Sequence, residues 1–149
     1  MKEAIRSHTA KKYGIDNSPT SEHLLNLKKV AENIFQKVRD HFGVPIFVSS
    51  GYRSYALNSH PAVNGSKTSA HTKGQALDLD ADVFEKITNA DIFHYIHNNL
   101  DYDQLIWEFG DEEEPDWVHV AYVEGKNRGQ TLVAKRNSEG KTYYKKYMT

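Results

Sequence analysis

Apolar residues return along this chain with two different periods, and the changes of period mark its elements. From Leu24 through Leu27, Ala31, Ile34 and Val38 to Phe42 they recur every three to four residues, with Val30 and Phe35 widening the stripe. That spacing predicts an amphipathic helix, opened at Ser18-Pro19 or Thr20-Ser21 and closed by Gly43 as its C-cap. Residues 45–50 (PIFVSS) read as a short buried strand. A long polar loop follows, with one helical turn near residues 55–58 and a turn signal at Asn64-Gly65. Polar loops of this length in compact domains are usually functional or disordered. Residues 75–82 then alternate, so Leu77 and Leu79 face a core while Ala76, Asp78 and Asp80 face away from it. A second helix, capped by Thr88 or Asn89, turns Ile92, Phe93, Ile96 and Leu100 inward. Residues 103–109 (DQLIWEF) form a further strand and 111–116 (DEEEPD) an acidic turn. In the strand 117–123, Val118, Val120 and Tyr122 share one face, and Trp117, His119 and Ala121 share the other. The first 19 residues read as a polar arm with a short helix at its start. Residues 131–135 and 141–147 read as a polar hairpin around 137–140.

Composition narrows what such a chain can do. Its 149 residues suffice for one domain with a real core, and 38% of them are apolar. A formal net charge of −1 argues against a dedicated nucleic-acid binder, because there is no large basic excess. Cysteine is absent, so disulfides, thiolate metal sites and cysteine nucleophiles are all excluded. Any metal site must use His, Asp and Glu. No apolar run approaches the ~20 residues that span a bilayer. Nor does the N-terminal sequence show the basic start and apolar segment of a signal peptide. The chain is expected to be made in the cytoplasm as a soluble monomer, and to need release or a carrier if it acts outside.

Of the eight histidines, most need no special role. His94 and His97, three apart on the second helix, have no carboxylate ligand at useful spacing and read as an exposed polar face. His71 and Asp78 differ. The histidine ends a glycine-punctuated loop, and the aspartate lies in a strand on the side away from the core. If that strand pairs antiparallel with the strand of His119, then Asp78 and His119 project from one face and His71 reaches over from the loop. Two His and one carboxylate leave a catalytic zinc one open position. Asp116, three before His119, is a candidate base. Strand alternation would put it on the opposite face, but Pro115 places it in the turn, where alternation need not hold. The same residue also reads as the end of an acidic surface turn. Arg53 is a candidate for stabilising an oxyanion or clamping a carboxylate, and otherwise a surface arginine. Ser69 can hydrogen-bond a substrate or a ligand. Asp80 can orient a histidine, or remain solvated.

The segments Ser50-Gly51-Tyr52-Arg53-Ser54, Asn58, Ser69-Ala70-His71-Thr72-Lys73-Gly74-Gln75-Ala76-Leu77-Asp78 and Trp117-Val118-His119-Val120 resemble the zinc D-Ala-D-Ala carboxypeptidases, the M15 peptidases. The pattern S-x-H-x-x-G-x-A-x-D is the specific part, and the likeness covers roughly residues 13–123, leaving 124–149 as a polar tail. The resemblance implies an α+β domain, with a small antiparallel sheet carrying helices on one face and a zinc cleft on the other. It implies Zn2+ held by His71, Asp78 and His119, with Asp116 as the catalytic carboxylate and Arg53 polarising the scissile carbonyl. Ser69 and Asn58 are then expected at the substrate. The implied substrate is the stem peptide of bacterial peptidoglycan, cut either as a carboxypeptidase removing terminal D-alanine or as an endopeptidase of the L-Ala-D-Glu type. Relatives of this kind are common in phage genomes as lysis enzymes, which implies action on the wall after release. Related hedgehog-type domains leave one alternative, a zinc-containing binding module without turnover. Where relatives often carry His-x-His, this chain has Trp117, which leaves Arg53 more of the oxyanion task.

Overall fold

The computed structural model describes residues 1–148. The predicted first long helix forms as α3 (Ser21–Val30), one wide π turn (Ala31–Phe35) and α4 (Gln36–Phe42) in unbroken succession. Thr20 caps it by accepting from the His23 amide at 3.1 Å, and Gly43 closes it in the left-handed conformation, φ 64°. The wide turn brings Ile34 and Phe35 inside together, next to Leu27, Val30 and Val38. The helical turn expected near residues 55–58 forms as α5 (Tyr55–Ser59), and the second predicted helix is α6 (Asn89–Asn99), with a complete capping box between Thr88 and Asp91.

Six strands form one sheet in the order β1-β2-β4-β3-β5-β6. They are β1 (Phe47–Ser50), β2 (Ala76–Asp80), β3 (Gln104–Glu108), β4 (Trp117–Ala121), β5 (Gln130–Arg136) and β6 (Thr142–Lys146). Four of the pairings are antiparallel, but β3 and β5 run parallel, so the sheet is mixed and not purely antiparallel as the resemblance implies. The reason is topological. The chain leaves β4, passes the end of β3 and adds β5 on its far side, so the C-terminal hairpin extends the sheet.

Alternation behaves as predicted on β2 and β4. Leu77, Leu79, Val118 and Val120 are buried with Leu105 and Trp107 under Leu27, Val30, Ile34, Ile92, Phe93 and Ile96 from the helices. The helices thus cover one face and leave the other free for chemistry. The N-terminal arm is more ordered than the sequence indicates. It folds as α1 (Lys2–Ile5) and α2 (His8–Tyr13), which bury Ala4 and Ala10. Beyond it, Asn17 donates to Ile5 O and Tyr52 O and accepts from the Ser54 amide at 2.7 Å, tying the arm to the loop after β1. Among the described residues, no helix is long and apolar enough to cross a membrane.

Candidate metal centre

The register of the sheet assembles the site. Asp78 on β2 pairs with His119 on β4, so both project from the face opposite the helices. His71 arrives from a 3₁₀ turn, Ala70–Lys73, whose start is held by Ser69 Oγ accepting from the His71 amide at 3.3 Å. Gly74 ends the turn at φ 73°, and a Cβ there would run into the backbone oxygen of His23, so only glycine lets the chain pass. The three side chains converge. Asp78 Oδ1 lies 3.3 Å from His71 Nε2 and 3.0 Å from His119 Nδ1, and one ligand atom of each lies within 4.8 Å of the others.

These residues fit a tetrahedral cation. Ligand bonds of about 2.0–2.1 Å imply ligand–ligand edges of about 3.3 Å, close to the separations seen. The tautomers fit as well. His71 Nδ1 is held by the Gly51 carbonyl at 2.7 Å, which leaves Nε2 free to ligate. Both histidines are buried, with 2% and 8% of their surface exposed. His119 Nε2 is a buried polar atom without a hydrogen-bond partner. With Nδ1 given to a cation, Nε2 would carry the ring proton and meet no acceptor among the described residues. Burial pushes the Asp78 carboxyl up, but the charge of His71 and the hydrogen bonds of His119 and His71 outweigh it and hold Asp78 well below the ordinary carboxylate range.

Arg53 sits beside this group. Its amide donates to His71 O at 3.1 Å and its Nη2 to Ser69 Oγ at 3.2 Å. Burial draws the guanidinium below its usual value while Asp78 pushes it back up, and its Nε is a buried donor without a partner. Ser69 is therefore occupied on the protein side, orienting Arg53 and His71. Asn58 is almost fully buried. Its Nδ2 donates to Ser66 O at 2.9 Å, which gives it a loop-holding task. Asp80 does not orient a histidine, because its Oδ1 accepts from the Asp82 amide and from Asn89 Nδ2.

Asp116 is exposed at the entry to β4, and its backbone is fixed at both ends. Its amide donates to Glu108 O at 2.9 Å, and its carbonyl accepts from Asn89 Nδ2 at 2.9 Å. The fully buried Asn89 also accepts from the Ala81 amide, so it ties β2's exit, α6 and the acidic turn together. Glu114 adds to this by accepting from the Asn89 amide at 2.6 Å. Asp116 lines a cavity of about 710 Å³ together with His94, Trp107, Val133 and Tyr147 from the helix side of the sheet, and none of the three ligands lines it. The expected cleft over the metal ligands is not what this cavity shows.

Two features of the site escape the sequence. Asn89 reads as an ordinary cap. Glu108 ends β3 opposite Trp117, and so shares the metal face, yet only 8% of it is exposed. Burial, with Asp78 adding to it, pushes its carboxyl up to about 7 against the opposing pull of His119 and Arg136. A glutamate closing an apolar strand gave no signal of that burial.

Residues 1–121 match the family model described as Peptidase M15. No curated protein matches the chain.

Proposed function

The chain belongs to the M15 peptidase family, whose members are metallopeptidases, and from that premise we propose that it is a zinc peptidase cutting stem peptides of bacterial peptidoglycan. One observation carries the reading. His71, Asp78 and His119 bring three ligand atoms together on the sheet face that the helices leave bare. Zinc, when held by these three, supplies Lewis acidity toward the scissile carbonyl and lowers the pKa of a water toward ~7. The remaining work falls to the chain. Asp116, fixed through its backbone by Asn89 and Glu108, takes the proton of the attacking water and returns it to the leaving nitrogen. Arg53, aligned by Ser69, meets the charge that develops on the carbonyl oxygen. Asp78 stays ionised because the two histidines hold it so, which keeps it fit to ligate through the acidic range. The protein acts on the wall after release from the cell or through a carrier.

Incubation with purified peptidoglycan, followed by mass spectrometry of the released fragments, tests this. Loss of a terminal D-alanine identifies a carboxypeptidase, and stems split internally identify an endopeptidase. Intact stems in the presence of zinc overturn the reading and leave a binding module.

A further inference from the structure

The family match ends at residue 121, yet the chain goes on to add two strands to the same sheet. The charge changes with it. Residues 124–149 carry seven Lys or Arg against two acids, a formal +5, while residues 1–123 carry twelve against eighteen, a formal −6. A wall peptide rich in carboxylates is repelled by the second part and attracted by the first. Lys135, Arg136, Lys141, Lys145 and Lys146 all belong to the hairpin, and among the described residues none of them is ion-paired.

Register shows which of these cations face the metal ligands. One row of the sheet runs from Asp78 to His119, Ile106, Leu132 and Lys146. The next runs from Trp117 to Glu108, Ala134 and Tyr144, with Arg136 two residues beyond Ala134 on the same face. At a strand spacing of ~4.8 Å, Lys146 stands about 14 Å from His119, roughly four residues of an extended peptide. The ground between is furnished. Trp117 packs edge-on against Phe109 at 5.4 Å, and the Arg136 guanidinium lies 3.7 Å over the Phe109 ring, which holds it in place with its donors free. Tyr144 stands 55% exposed at the edge of this face. The cavity lined by Asp116 is no part of this surface, for Trp107, Val133, Lys135, Lys145 and Tyr147 from the helix side of the sheet line it.

We propose that the β5–β6 hairpin is a docking extension of the metal face, where Arg136, Lys146 and Tyr144 hold a carboxylate-bearing strand of peptidoglycan leading into the site. The proposal rests on the reading that the substrate is a wall peptide. Lysine and arginine act here as rim charges. They raise the capture of a polyanion and lose effect as salt rises.

The test uses the full chain and purified peptidoglycan stripped of phosphate polymers, with binding read by co-sedimentation at low and high salt. R136Q/K146Q is expected to weaken binding at low salt by about ten-fold. K135Q/K145Q removes the same charge from the opposite face of the same hairpin and is expected to change binding by less than about two-fold. Equal weakening by the two pairs reduces the effect to bulk charge and overturns the proposal, as does no weakening by the first pair. Wild-type binding that vanishes once phosphate polymers are stripped assigns the surface to those polymers and overturns the carboxylate reading. Fragment analysis of the same samples separates the two claims. Face-dependent binding without hydrolysis upholds the docking surface while the peptidase reading fails.

Discussion

On β2 and β4, Asp78 and His119 project from the metal face and are bound to one another across the sheet, whereas on β6 all five residues are exposed. The centre of the sheet is fixed several times over. His71 is held by Gly51, Arg53 by Ser69 and His71, and Asp116 by Asn89 and Glu108. The hairpin is anchored along β5, by its ladder to β3, by Gln130 and Thr131 bonding to Gln104 and Tyr102, and by Val133 and Tyr147 packing on the core, while β6 itself adds only its ladder to β5. The difference separates two kinds of requirement. Ligand geometry must hold within a few tenths of an ångström, so it is buried and braced. Capture of a long, variable polymer needs only charge in the right place, which an exposed strand supplies without demanding precision.

The strongest way to break that contrast is at its centre. His119→Ala removes a ligand and leaves Asp78 with one histidine, and should cost more than ~100-fold in metal affinity, with activity lost alongside. Metal content by mass spectrometry after dialysis checks it, and full occupancy in that variant removes His119 from the ligand set. Asp116→Ala comes next. It should keep the metal and lose about 100-fold or more in turnover, since Asp116 touches none of the ligands. Near-native turnover in a metal-loaded Asp116→Ala protein refutes the base assignment.

The centre was also the legible part. Alternation in residues 75–82 and 117–123 puts Asp78 and His119 off the apolar face, and the glycines around His71 mark a backbone path no other residue can take. Asp116 could not be placed by parity, because a turn ending in Pro115 has none to read. The π turn in the first helix left no trace, since Ile34 and Phe35 suit a regular helix too. The parallel docking of β5 on β3 was invisible for a plainer reason. Hairpin signals specify a strand's sequence neighbour, not the sheet edge it joins. Glu108 follows from that omission: its burial depends in part on Ala134 of β5 pairing beside it.

Glu108 lies where the two regions meet, and its proton makes the boundary measurable. In the folded, metal-free protein its carboxyl is pushed up from an ordinary 4.5 to about 7. Between those values the native state binds more protons than the unfolded chain, so stability falls as pH rises from about 4.5 to about 7 and levels off above it. The loss is worth up to about 3 kcal/mol. Glu108→Gln should abolish it, and denaturant titrations of metal-free protein across that window check the slope. Asp78 acts with the opposite sign and in a lower window, stabilising above its ordinary carboxylate value and losing that contribution as pH drops below it. A Glu108→Gln protein that keeps the wild-type slope shows the carboxyl to be solvated, which would open the boundary between centre and hairpin.

The smallest expected effect lies at the edge. Lys145 is exposed on the outermost strand, and among the described residues it has no ion-pair partner. Its backbone, not its side chain, joins it to Val133. Lys145→Gln should therefore shift stability by less than about 0.5 kcal/mol, because a surface charge without a partner has little to lose. A lysine on an edge strand still does something, since it discourages pairing with another chain. That role shows in self-association at high concentration, not in a melting curve, so light scattering alongside thermal denaturation separates the two. A loss above ~1 kcal/mol would mean that β6 braces the fold as the central strands do. The contrast between a braced centre and an adaptable edge would then fail at its least constrained point.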